Sequence, residues 1–127
     1  SLHDALPISV RAIRGAIQVE ANTAEAIAAG TKELLSEILK ANDLPVADVI
    51  SVLLTATPDL TAAFPAAAAR EVGFEATPLL CAVEIDVAGA LPRVIRAMAT
   101  VETSRSAGQI SHIYLAGAKA LRRDIAQ

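Results

Sequence analysis

Aromatic side chains are nearly missing from this sequence: Phe64, Phe74 and Tyr114 make up 2% of it, and there is no tryptophan. That removes the stacking platforms on which single-stranded nucleic acids are held. A basic excess is missing too. Eleven Lys and Arg stand against 14 Asp and Glu, a formal net charge of -3, whereas holding a phosphate backbone takes many cations. Nucleic acid is not an expected partner. Without a second cysteine, Cys81 forms no intrachain disulfide, so nothing asks for an oxidising compartment and the cytoplasm is the expected location. No uninterrupted apolar run approaches the roughly 20 residues that span a bilayer, and no membrane partner is expected. Also lacking are a glycine-rich phosphate loop, a Cys/His cluster at metal-ligand spacing and a Ser-His-Asp set at a nucleophile turn. Neither a metal nor a cofactor is expected.

What is present points inward. The 127 residues fit one domain, and 54% apolar against 20% charged residues excludes wholesale disorder. Residues 1–9 are expected to be a disordered or artefactual leader, the string at 1–8 resembling a translated sequencing adapter, and the domain to occupy 10–127. A β-leaning run at 10–19 predicts a first strand. Asn22 with Glu25 predicts a capping box and a helix from Thr23. Ile27, Thr31, Leu34, Leu35, Ile38 and Leu39 recur at helical spacing, and Asn42, Asp43 and Leu44-Pro45 close that helix. The nearly continuous apolar run at 49–56 predicts a central strand covered on both faces. Pro65 opens a short alanine-faced helix ending near Gly73. Strands are expected at 77–82, 94–103 and 112–118, although Arg96-Ala97-Met98 would also tolerate helix. The order β-α-β-α-β-β-β indicates an α/β (α+β) fold, a mixed sheet with helices on one side. Such a sheet leaves edges and one face bare, and trimerisation around a barrel-like core would cover them.

Among chemically capable residues, arginine dominates: eight of the eleven basic residues are Arg. A guanidinium binds a carboxylate through two parallel hydrogen bonds and stays charged, so an arginine-rich pocket suits a dianion. Arg14 and Arg96 fall inside predicted strands, where an unpaired charge costs several kcal/mol. Each needs a ligand, the surface or a counter-ion, and Glu84 or Asp86 could serve either arginine as a structural ion pair. Glu84 and Asp86, two apart, share a face if extended, but paired carboxylates alone have little to act on. His112 reads as an ordinary strand or surface histidine, and Cys81 as either packing or a functional thiol.

Five motifs then occur in order: Arg-Ala-Ile-Arg-Gly-Ala at 11–16, Leu-Leu-Thr-Ala-Thr-Pro-Asp-Leu at 53–60, Phe-Pro-Ala with Ala-Arg-Glu at 64–71, Pro-Leu-Leu-Cys-Ala-Val-Glu-Ile-Asp-Val at 78–87, and Ile-Arg-Ala-Met at 95–98. Ile-Tyr-Leu at 113–115 and Leu-Arg at 121–122 follow. Together they resemble the monofunctional chorismate mutase family of the AroH class. The resemblance implies a pseudo-barrel homotrimer with three sites between neighbouring subunits. It also implies the rearrangement of chorismate to prephenate, on the route to phenylalanine and tyrosine, without nucleophile, metal or cofactor. On this analogy Arg96 faces the breaking ether bond, and Glu84 and the Cys81 segment surround the ring hydroxyl. Arg14 and Tyr114 would hold carboxylates. Phe64, Ala66 and Arg70 would come from the neighbour, and Leu121 with Arg122 would belong to a short closing tail. Ala67 stands where the family can have a lysine, so one rim cation is absent. Two other readings use the same arginines: a non-catalytic trimer that binds a small carboxylate metabolite, and a structural oligomer in which they form interface ion pairs.

Overall fold

A computed structural model describes residues 6–121. Residues 1–5 of the expected leader and Arg122 lie outside the described residues. Strand β1 (Ser9–Gln18) leads into helix α1 (Ala24–Ala41), strand β2 (Val49–Ala56), helix α2 (Pro65–Ala69), and strands β3 (Leu79–Val83), β4 (Val94–Thr103) and β5 (Ile113–Leu115). They form one five-stranded sheet in the order β3-β2-β4-β1-β5. β4 pairs antiparallel with β1 and β2, while β3 and β5 run parallel to β2 and β1 on the outside. β4 is the middle strand, and β2 beside it is interior as expected, paired along both edges.

Side-chain alternation divides the sheet into two different faces. Ile13 and Ile17 of β1, Val52 and Leu54 of β2, and Ile95, Ala97, Ala99 and Val101 of β4 are buried in one core with Ile27, Leu34, Leu35 and Ile38 of α1 and Ala66 and Ala69 of α2. Both helices thus cover the same face, as expected. The other face stays open: Leu53 and Met98 are exposed there, so within the chain β2 is covered on one side only. The run at 49–56 reads as apolar throughout, but its open face carries Ser51 and Thr55 beside Leu53.

Local chemistry explains the element ends. Thr23, rather than Asn22, is the N-cap of α1, its Oγ1 accepting from the Ala26 N–H at 3.0 Å. Asn22 instead anchors the loop after β2, its Oδ1 accepting from the Thr61 and Ala62 amides at 2.9 and 3.0 Å. The helix lies close on the sheet because Gly15 has no Cβ; one would sit 2.9 Å from Ile38 Cδ1 and Leu34 Cδ1. At the other end, buried Asn42 donates to the carbonyls of Ile38 and Ser111, both at 2.9 Å, and accepts from the Ser111 N–H at 2.8 Å. This clamp delivers the chain to β5.

Helix α2 is shorter than expected, widening over Arg70–Phe74 into a π-type turn that ends through Gly73 at φ 106°. β3 starts at Leu79 and not at Thr77, whose N–H bonds to the Phe74 carbonyl at 3.1 Å. β5 is only three residues long because Ala116, at φ 53°, turns the chain into a 3-10 segment, Ala116–Ala120.

Candidate active site

The open face of the sheet presents two rows of side chains. Strand register aligns Thr55 of β2, Arg96 of β4, Ala16 of β1 and Tyr114 of β5 in one row. In the next row stand Leu53, Met98 and Arg14. A cleft of ≈ 230 Å³ opens between them, lined by Arg14, Leu53, Thr55, Arg96, Met98 and Tyr114 together with Ala97. Tyr114 ties it to a small second apolar cluster with Ala16, Val94 and Ala118, against which Leu91 and Leu121 pack.

Glu84 enters from just beyond β3. Its N–H donates to the Ala56 carbonyl at 2.9 Å, which continues the parallel pairing one step past Val83. Both carboxylate oxygens accept from Arg96 Nε, Oε1 at 3.2 and Oε2 at 3.1 Å, and Oε2 also accepts from Thr55 Oγ1 at 2.7 Å. The Glu84 side chain is 17% exposed and that of Arg96 42%. Of the five N–H donors of a guanidinium, only Nε–H is taken. The Nη donors of Arg96 have no hydrogen-bond partner among the described residues, and Arg96 lines the cleft. A structural ion pair of a strand arginine therefore exists, between Arg96 and Glu84, yet its hydrogen bonds are to Nε alone.

Arg14 and Arg96 line the same cleft and only Arg96 is paired with a carboxylate among the described residues, so the cleft is set up for negative charge. The backbone under Arg14 is fixed by His112, whose Nδ1 accepts from the Arg14 N–H at 2.9 Å. The start of β4 is fixed by the Thr-Pro-Asp turn. Thr57 Oγ1 accepts from the Val94 N–H at 3.0 Å, the Thr57 N–H donates to the Val94 carbonyl at 3.0 Å, and Asp59 Oδ2 accepts from the Arg93 N–H at 2.9 Å. The Thr57 side chain bonds Asp59 and, with backbone donors and the Arg93 charge, holds its carboxyl below the ordinary 3.8 against a smaller opposing effect of burial.

The remaining expected residues lie elsewhere. Cys81 pairs with Leu54 and packs against the helix-side core, on the opposite face from Arg96. It lines a separate, mostly apolar cleft of ≈ 500 Å³ with Leu54, Leu60, Phe64, Pro65 and Val83 among others. Phe64 is 76% exposed, Ala66 is buried, and Arg70 is exposed at the head of the π-type turn. One subunit thus brings together Arg14, Glu84, Arg96 and Tyr114, with Leu121 behind, and leaves Phe64, Ala66, Arg70 and Cys81 apart from them.

The sequence model described as Chorismate mutase type I matches residues 10–125. The chain belongs to the chorismate mutase type I family. Among its relatives, chorismate mutase AroH of Thermus thermophilus is 48% identical over 117 residues, 91% of this chain and 96% of that protein. Chorismate mutase AroH of Bacillus subtilis (strain 168) is 46% identical over 117 residues, 91% and 92% of the two chains. The solved structure of a chorismate mutase from Clostridium thermocellum superposes with a TM-score of 0.85 at 49% identity, covering 87% of this chain and 98% of that one. The mixed five-stranded sheet with helices on one face is thus the fold of a known chorismate mutase.

Thr55 was not among the residues the sequence suggested. Its hydroxyl hides in a run that otherwise reads as core, and only the register with Arg96 shows that it belongs to the cleft. Asn42 and the Thr57–Asp59 turn were missed as well, because each acts on backbone distant in sequence. Among the described residues, no cluster of His, Cys, Asp and Glu could hold a metal ion, and no helix is long and apolar enough to cross a membrane.

Proposed function

We propose that this chain is a chorismate mutase in which Arg96 supplies the transition-state charge. The rearrangement of chorismate to prephenate breaks a C–O bond and makes a C–C bond within one molecule. No proton has to move. What a protein can add is selection of the compact conformer and stabilisation of the negative charge that gathers on the ether oxygen. A cation fixed at that oxygen binds the transition state more strongly than the substrate, which is the only kind of binding that raises kcat. An acceleration of about a millionfold requires about 8 kcal/mol.

The observation that supports the reading is the half-engaged guanidinium. Glu84 holds Arg96 by Nε, and Arg96 lines a cleft that Arg14 and Tyr114 also line. Arg14 and Tyr114 then take the substrate carboxylates, and Glu84 accepts from the ring hydroxyl. Phe64, Ala66, Arg70 and Cys81, which lie away from Arg96, complete the cleft of a neighbouring subunit. The assembly is a homotrimer working in the cytoplasm on chorismate alone. Support for association comes from the apolar side chains left in water: Leu80, Val83, Ile85 and Val87 on and after edge strand β3, and Leu53 and Met98 on the bare sheet face. Kinship with two proteins named for the activity disfavours a non-catalytic carboxylate binder.

The test is Arg96→Ala, assayed by the loss of chorismate absorbance in protein of unchanged oligomeric mass. Turnover should fall about a thousandfold, the scale of losing one transition-state donor. Retention of kcat within tenfold of the unaltered chain would overturn the assignment.

A further inference from the structure

Among the described residues, Thr55 is the one side chain besides Arg96 that hydrogen-bonds the Glu84 carboxylate. A carboxylate and a guanidinium left to themselves settle side-on, Nε–H and one Nη–H each on its own oxygen. That arrangement is not what the cleft holds. Both oxygens of Glu84 crowd onto Nε, at 3.2 and 3.1 Å, while Thr55 Oγ1 donates to Oε2 at 2.7 Å. The hydroxyl is well placed to do so. Thr55 stands opposite Arg96 in the β2/β4 register, on a strand paired along both edges, and its β-branched side chain has little χ1 freedom.

We propose that Thr55 is a positioning residue for catalysis: its hydroxyl holds the Glu84 carboxylate off the side-on pairing and so keeps the Nη edge of Arg96 available to the substrate. The role rests on the chorismate mutase reading given above. Without the hydroxyl, the mostly buried carboxylate loses one of its two donors and turns to recruit an Nη of Arg96 in its place. Charge that should face the ether oxygen is then spent on Glu84, and the loss appears in kcat more than in KM, because the guanidinium matters most in the transition state.

The experiment uses the full chain with chorismate as substrate. Thr55→Val replaces the hydroxyl by a methyl group of the same shape, and Thr55→Ser keeps the hydroxyl. Thr55→Val should lower kcat about tenfold or more, equivalent to about 1.4 kcal/mol, with KM within about twofold. Thr55→Ser should stay within about threefold of the unaltered chain, and in a Glu84→Ala background Thr55→Val should have no further effect on kcat. Thr55→Ala gives the same comparison should the valine variant not fold. Unchanged kcat in Thr55→Val, an equal loss in Thr55→Ser, or a full effect persisting without Glu84 would each overturn the role of Thr55. Failure of the unaltered chain to consume chorismate is a separate result; it rejects the functional reading itself and this role with it.

Discussion

Residues in this protein do their work by holding other residues. Glu84 fixes one edge of Arg96, Thr57 and Asp59 fix the backbone where β4 begins, and His112 fixes the backbone of Arg14. Asp59 makes one of these holds measurable. Its carboxyl is depressed below 3.8, first by the Thr57 side chain. The unfolded chain therefore takes up a proton at higher pH than the folded one. The resulting stability is fully present above the unfolded value and is lost as pH falls through the folded value. Asp59→Asn should flatten that acid limb. Urea midpoints measured downward from about pH 5 should converge for the two proteins as acidity rises; parallel curves would mean that the carboxylate adds nothing to stability.

At the scale of elements, the junction of α1 with β5 is the most exposed to a single change. Asn42 is 2% exposed and answers both the N–H and the carbonyl of Ser111. Asn42→Ala would orphan two partly buried backbone groups, each costing about 1–3 kcal/mol. The expected loss is about 2–4 kcal/mol of unfolding free energy, read as a shift in denaturation midpoint at unchanged m-value. A shift below about 0.5 kcal/mol would show water substituting for the amide. The same clamp leads into β5, where Tyr114 aligns with Ala16, so loosening it should also displace the cleft wall.

At the scale of the whole molecule, the proposed trimer accounts for the open sheet face and for the split of the expected site residues. Ile85 is 86% exposed and Phe64 76%, an unfavourable display for a lone subunit. In the proposed trimer a neighbour covers them and contributes Phe64 and Arg70 to the cleft of Arg96. Chains with Arg70→Ala and chains with Arg96→Ala, each nearly inactive alone, should regain activity when unfolded together, mixed and refolded. With equal amounts, about a quarter of the interfaces in a closed three-fold ring would pair an intact Arg96 with an intact Arg70. Mixed oligomers that form but stay inactive would reject the shared site.

By itself the sequence determined the element order, the limits of β2 and β4, and the presence of the family's charged and apolar side chains in the right succession. Those are local properties: 49–56 and 94–103 are β-branched, apolar and bounded by turn residues, and the helical alternative at Arg96-Ala97-Met98 loses once β4 is paired on both edges. Only the tertiary structure decided which side chains meet. Because successive side chains of a strand point to opposite faces, one step of register chooses between Cys81 and Ala82 as the neighbour on Arg96's face. It likewise sets Thr55, 41 positions away along the chain, opposite that arginine. No local preference contains that parity; it arises when five strands pack against helices on one side and leave the other face bare.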